Sequence, residues 1–370
     1  MRIETMIYLY GAVCVSMIAF NIIYSLILRV GQPRQKKLRR VLAVKIRRQI
    51  GLLRQGKNVE SKHLEDLQHT LRRTSKLIAF DYALREVLEE EQEPWGTRYV
   101  DQIQPAILYL ALVYQKRDNM SAAYFSYILS RYMAPRHMPI HSIQGVLLDY
   151  IRKDNLYCRV NGMQALYRFG SVENILTALE ILDRGDIFVH EKILTEGLLT
   201  FTGDHSELMG RLWERLDRFS EHTQIAISNY IRFQTGAYTE EMMAVMLDEG
   251  QGKELRLSAI RYFGRYYYEP ALEPLLAFVR QTDPEQWEYV TISASALARY
   301  PGERTLDALK DALHSSNWYV RYAAAASLDA LGAEYEDLLD VISSNDRYAR
   351  EMVMYRLESR WMQKEGALES

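Results

Sequence analysis

The chain has 370 residues, 48% hydrophobic and 25% charged, a balance that excludes wholesale disorder and leaves room for one long array or two ordinary domains. Its net charge of −2 hides a division: residues 1–57 carry twelve Lys/Arg against the single acid Glu4, and the remainder holds 34 basic and 47 acidic residues, a net of −13. An acidic array matches nucleic acid poorly, because phosphate neutralisation dominates that binding. The two cysteines, Cys14 and Cys158, make neither a disulfide framework nor a zinc spacing.

From Met6 to Leu28 the sequence runs 23 residues without a charge. As a helix it reaches about 34 Å, against a hydrocarbon core of about 30 Å. Tyr8, Tyr10 and Tyr24 lie near its ends, where amphipathic rings favour an interface. Eleven basic residues come next, between Arg29 and Lys57, with no acid before Glu60. Positive charge stays on the inner side of a membrane. The expectation is a retained transmembrane anchor over residues 1–30, single-pass in the plasma membrane, N-terminus outside and the rest cytoplasmic. A cleaved signal peptide would want its charges before the apolar run, a shorter run and a small-residue cleavage site, and none of these is clear. The basic stretch, 31–60, has helical periodicity at Leu38, Val41, Leu42, Ile46, Ile50 and Leu53. It reads either as a helix on the inner leaflet or as a flank that sets topology.

Residues 61–153 read as less regular helices that cap a repetitive region beginning at residue 154. Ser61 to Glu93 is periodic in Leu and ends in Glu89, Glu90, Glu91 and Glu93 before Pro94 and Gly96. Those carboxylates read as a solvated helix end rather than a cation site. Ile103–Tyr114 is an apolar run of twelve, too short to span a membrane and right for a buried helix. Ser121–Met133 and His141–Arg152 are two more helices, with Pro135 and Pro139 between them.

From Cys158 to Trp361 one phrase returns seven times. An apolar residue precedes a polar anchor, small or apolar residues sit three and seven positions on, and a Gly or chain break lies about eleven on. The anchors are Arg159, Glu191, Gln224, Arg256, Thr291, Arg321 and Arg350, spaced 32, 33, 32, 35, 30 and 29 apart. A period of this size means stacked helix pairs, none able to bury its apolar face alone. The array is placed at 154–362, with 363–370 as a flexible tail.

The clearest copy, Asn317 to Gly332, resembles the HEAT-repeat family, especially the short bacterial type also seen in phycobilin lyases. It carries a turn Asn317, then Val320-Arg321, Ala324-Ala325, Leu328 and Gly332. Asp346 with Arg350, and Asp154 with Arg159, repeat part of it. The resemblance implies an all-α solenoid of helical hairpins, here preceded by one transmembrane helix, with the Val-Arg helix second in each pair and lining a concave face. It implies that Arg159, Arg256, Arg321 and Arg350 are structural anchors bonding a turn of a neighbouring repeat. Gly170, Gly203, Gly236, Gly302 and Gly332 are expected at helix ends. The first helices would be Val172–Leu182, Ser206–Phe219, Thr239–Asp248, Ala271–Arg280, Thr305–Leu313 and Glu334–Ile342.

A search for chemistry finds little. His190-Glu191 is one His-Glu pair where a di-iron array would need several. His137 and His141 have Pro139 between them, which breaks the helix that would align a metal pair. Cys158 has no sequence-placed base and reads as a small buried residue. No phosphate-binding loop appears. Neither an enzyme nor a cofactor is expected; a lyase-like or cofactor-handling role is the alternative, by analogy of fold alone.

One group stands out. Arg168, Arg232, Arg261, Arg265 and Arg299 fall off the apolar stripe, interleaved with Tyr167, Phe233, Tyr267, Tyr268 and Tyr300. Arg and Tyr are enriched at protein-binding hot spots. Inside an acidic array such a ridge suits an acidic or helical segment, against the plainer reading of a solvated face with Arg–Glu pairs. The function this suggests is a membrane-anchored scaffold binding another, membrane-associated protein, not nucleic acid. Its layout is similar to accessory proteins of membrane glycosyltransferase or envelope-polysaccharide systems.

Overall fold

Side-chain caps open helices where the repeated phrase begins. The side chains of Asn155, Asn317 and Asp346 accept backbone N–H groups of Cys158, Tyr319 and Tyr348 at 3.1, 2.8 and 3.0 Å, satisfying donors that a helix start leaves bare. The structure, a computed structural model, describes residues 3–91, 94–133, 143–185 and 188–368; side chains at 3–7, 9, 23–32 and 363–368 are left aside. The described residues are helical or loop, with no strand among them. They divide into two units, Met1–Phe188 with Phe201–Gly203, and Val189–Thr200 with Asp204–Ser370.

Unit 1 holds α1 (Ile3–Arg54), α2 (Ser61–Thr70), α3 (Thr74–Glu90), α4 (Trp95–Gln102), α5 (Gln104–Gln115), α6 (Asn119–Ile128), α7 (Gln144–Arg152), α8 (Leu156–Phe169) and α9 (Val172–Asp183). A π-helical turn, Leu129–Met133, continues α6. The stretch expected as one helix from Ser61 is two, α2 and α3. In one row α1 packs on α3, α3 on α6 and α6 on α8; in the other, α2 packs on α5, α5 on α7 and α7 on α9. The region ahead of the recognisable repeats is thus built on the same two-row plan. His137, His141, Pro135, Pro139 and Glu93 lie outside the described residues.

The expected anchor is corrected here. Among the described residues no helix is long and apolar enough to cross a membrane. The single-pass plasma-membrane placement, with N-terminus outside and array cytoplasmic, is therefore withdrawn. The basic stretch that argued for topology has another physical explanation. Residues 34–54 are the second half of α1, continuous with the apolar first half, and they form the first helix of a row. Leu42, Ala43, Ile46, Ile50 and Leu53 are at most 2% exposed. Fully burying one such Leu or Ile is worth about 1.5–3 kcal/mol. Beside this strip, five of the eleven basic residues meet acids of the protein itself. Arg39 and Arg47 bond Glu86 at 2.6 and 3.1 Å, Arg47 also bonds Glu90 at 2.7 Å, Arg54 bonds Glu91 at 2.5 Å, Arg48 bonds Glu60 at 3.2 Å, and Lys45 bonds Asp66 at 2.6 Å. Two members of the acidic run, Glu90 and Glu91, are the partners of a second helix rather than a merely solvated end.

Unit 2 holds α10 (Glu191–Leu199), α11 (His205–Trp213), α12 (Glu221–Gln234), α13 (Thr239–Leu247), α14 (Lys253–Phe263), α15 (Leu272–Val279), α16 (Trp287–Ala296), α17 (Glu303–Ala312), α18 (Trp318–Ala330), α19 (Leu339–Ile342) and α20 (Arg347–Leu368). Each of α11/α12, α13/α14, α15/α16, α17/α18 and α19/α20 is a hairpin, and the even-numbered helices from α10 to α20 pack in a row. Such stacked hairpins fit an α-solenoid. Ala259, Ala294, Ala324 and Ala325 are at most 2% exposed at helix contacts, where a larger side chain would hold the row apart. Helix α20 runs through residues expected as a flexible tail.

The Arg and Gln anchors bond backbone carbonyls ahead of their own helices, and Arg256 and Arg321 also reach rings of the next repeat. Arg159 Nε donates to the Lys153 carbonyl at 3.1 Å, Arg321 Nη1 to Ser315 at 2.5 Å and Arg350 Nη1 to Ser344 at 3.4 Å, each six residues back in the turn before its helix. Arg256 reaches the Met246 carbonyl at 3.1 Å, and Gln224 the carbonyls of Leu216 and Phe219 at 3.0 and 2.9 Å. Repeats are joined instead by ring stacking: the guanidinium of Arg256 lies 5.1 Å from the Tyr289 ring and that of Arg321 lies 5.3 Å from Tyr348. Buried tyrosines add staples, Tyr262 and Tyr300 accepting the backbone N–H of Tyr238 and Tyr268 at 2.9 and 3.3 Å. Gly170 ends α8 in the left-handed region at φ 70°, where a side chain is strained.

Candidate interaction surface

In unit 2 the ends of α12, α14 and α16 bring four arginines to one side. Arg232 and Phe233 end α12, Arg261 lies on the last turn of α14 with Arg265 just beyond it, and a 3-10 turn after α16 presents Arg299. The Phe233 ring, 42% exposed, sits between two guanidinium groups, Arg232 at 4.7 Å and Arg265 at 5.4 Å. Arg265 also lies 5.8 Å from the Tyr266 ring. Arg299 donates to the Arg265 carbonyl at 3.1 Å, tying the turn after α16 to the turn after α14.

The electrostatics are those of unsatisfied positive charge. Burial pushes the Arg232 guanidinium below its usual pKa, and the charges of Arg261 and Arg265 push it the same way. The Arg232 Nε is buried and has no hydrogen-bond partner. Among the described residues, Arg232, Arg261, Arg265 and Arg299 form no ion pair with a carboxylate, in contrast to Arg304, which pairs with Glu273. The plainer expectation of a solvated face with Arg–Glu pairs does not describe these four.

The aromatic members divide. Tyr267 is 59% exposed, its ring 5.0 Å from that of Tyr300. Tyr300 is 1% exposed and spends its hydroxyl on the Tyr268 backbone, so it supports Tyr267 from beneath. Tyr167 is buried in unit 1. Arg168 is exposed, also in unit 1, and donates to the Ser130 carbonyl at 3.3 Å. Tyr266, between Arg265 and Tyr267 in the chain, shares the stack with Arg265 and was not among the aromatic residues named from the sequence.

Other candidates resolve into local roles. Cys158 is fully buried, its Sγ donates to the Asn119 carbonyl at 2.7 Å, and burial raises its pKa, which keeps the thiol protonated. His190 Nδ1 accepts the Lys192 N–H at 3.2 Å as a helix cap. Among the described residues no group of three or more His, Cys, Asp or Glu could hold a metal ion. A cleft of about 690 Å³ lies between the turns at 280–284 and 311–317 with Trp287 in its wall. Its His314 pairs with Asp346 at 2.9 Å, and its Asp283 accepts the Glu285 N–H at 2.9 Å. These groups serve the turns on either side of the cleft.

Comparison with known families agrees with this geometry. A family profile described as HEAT repeats matches residues 239–329, the stretch from α13 to α18 that carries Arg261, Arg265 and Arg299. HEAT repeats commonly mediate protein–protein interaction, so that general role is the one the match supports. No curated protein matches the chain.

Proposed function

We propose that this protein is a non-catalytic interaction module that captures an acidic segment of a partner protein on the ridge of Arg232, Arg261, Arg265 and Arg299. One observation carries the reading. Four guanidinium groups gather without a carboxylate inside an acid-rich array, and half-buried Arg232 keeps an orphaned Nε. Like charges brought together and partly desolvated cost stability. A carboxylate-bearing partner offsets that cost by charge-assisted, bidentate hydrogen bonds. Phe233 and Tyr267 supply rigid apolar area beside the cations, the composition of a binding hot spot. The association with membrane glycosyltransferase or envelope-polysaccharide systems rested on a membrane layout and goes no further.

The test is titration of a glutamate-rich peptide into the full chain by calorimetry. The triple variant Arg232→Glu, Arg265→Glu and Arg299→Glu is expected to weaken binding by about tenfold or more with helix content retained. Equal binding by a folded triple variant sinks the proposal.

A further inference from the structure

Unit 1 repeats the motif of the ridge with different letters. Midway along α3 the Tyr82 ring is 46% exposed and lies between Arg39 at 5.6 Å and Arg85 at 5.5 Å. At the end of α6 the π-helical turn carries Arg131, whose Nη1 donates to the Tyr127 hydroxyl at 2.6 Å; Arg85 Nη2 reaches the same oxygen at 3.4 Å. Arg131 also lies 6.0 Å from the Tyr127 ring and 5.6 Å from the Tyr132 ring. At the end of α8, Arg168 donates to the Ser130 carbonyl, next to Arg131. That last bond is the counterpart of Arg299 on Arg265: the arginine ending one helix of the row is pinned to the backbone ending the previous one. Pinning uses one donor of a five-donor fork and leaves the rest to face outward.

The acids nearby pair with Arg85 and Arg39 and leave Arg131 and Arg168. Asp81 is 1% exposed and accepts the hydroxyls of Tyr124 and Tyr132 at 2.8 and 2.6 Å, with Arg85 Nη2 at 3.6 Å. Glu86 is taken by Arg39 and Arg47. Arg131 and Arg168 pair with no carboxylate among the described residues; the Tyr127 hydroxyl holds the Arg131 guanidinium above its usual pKa, with the nearby Arg85 charge opposing. A π-turn weakens regular helix bonding, and such turns recur at functional sites.

We infer that unit 1 carries a second anion-recognition site, formed by Arg131 and Arg168 with Arg85 and the rings of Tyr82 and Tyr127, which takes the carboxylates of an acidic peptide independently of the ridge in unit 2. The choice of an acidic peptide rests on the reading of the ridge; the juxtaposition of the arginines does not. A peptide is favoured over a nucleic acid because the chain beyond residue 57 has a net charge of −13, which repels a continuous phosphate backbone.

Calorimetry with a short oligoglutamate on the full chain decides it. Two peptides per chain are expected. Arg131→Glu with Arg168→Glu should remove one and leave the affinity of the other, and the triple ridge variant should remove the complementary one. One peptide per chain, lost only in the ridge variant, overturns this inference and leaves the proposed function standing. One peptide lost only in the Arg131/Arg168 variant does the reverse. Should the double Glu variant fail to fold, Arg131→Gln with Arg168→Gln keeps an amide donor toward Tyr127 and Ser130, and unit-1 binding should weaken by about fivefold or more; unchanged binding there overturns the inference. Capture of an oligothymidylate in preference to the peptide, abolished by Arg131→Glu with Arg168→Glu, would overturn the peptide as its ligand.

Discussion

The second half of α1 and the ridge of unit 2 are both rich in arginine, and the two have opposite fates. Along α1, Arg39, Arg47, Arg48 and Arg54 each find a glutamate within 3.2 Å while an apolar strip beside them is buried. Along the ridge, Arg232, Arg261, Arg265 and Arg299 find no carboxylate, only rings, a carbonyl and each other. Density of positive charge in the sequence therefore says little about availability for a partner. What matters is whether the fold supplies the counter-charge: where it does, the arginines position a helix, and where it does not, the positive potential is left for something else to meet.

The comparison can be broken most forcefully at the apolar strip. Ile50→Ala, at a site 0% exposed, should destabilise unit 1 by about 2–5 kcal/mol in denaturant unfolding. A loss of a few tenths would mean that α1 only rests on the surface and that its arginines are as available as those of the ridge.

A second, intermediate effect is expected from acid. His63 on α2 is 6% exposed, with Nε2 2.9 Å from the Tyr99 hydroxyl. Burial pushes its pKa below the ordinary 6.5, against the opposing pull of Asp66. The folded chain thus holds the neutral ring. Its contribution to stability is complete above pH 6.5 and is lost as pH falls from there through the lowered folded value, because the unfolded chain binds the proton first. Unfolding midpoints measured across that window should fall with pH, and His63→Gln should flatten the profile.

The smallest effect sharpens the contrast by sign. Arg47→Gln removes an exposed pair and should cost at most about 1 kcal/mol, less in high salt. Arg232→Met removes a desolvated cation with no acidic partner and should leave the melting midpoint unchanged or raise it, while weakening peptide capture. A lowered midpoint for Arg232→Met would show that the fold depends on this charge after all.

Much of unit 2 was legible beforehand. The spacing of the anchors located α12, α14, α16, α18 and α20, and the first helix α13 begins at the expected Thr239. A repeat states its period in composition, so a single clear copy at Asn317–Gly332 indexes the weaker ones. Unit 1 was harder, because its helices ahead of α8 share the same plan without the phrase, and because α1 joins an apolar segment to a basic one. That juxtaposition has the pattern of a membrane anchor and its flank. The pairing of Arg47 with Glu90, across 43 positions, is invisible to any local reading.

The sequence by itself determined the helical class, the repeat period and the small residues at helix contacts, since each depends on neighbours within one or two turns of chain. Only the tertiary structure decided which arginines are neutralised, that Tyr300 is a buried staple while Tyr267 is open, and that Arg85, Arg131 and Arg168 stand together. The physical reason is range. Helix propensity and amphipathic spacing act over a few residues, whereas Coulomb pairing, burial and ring stacking are settled by whichever residues the stacked helices bring within a few ångström.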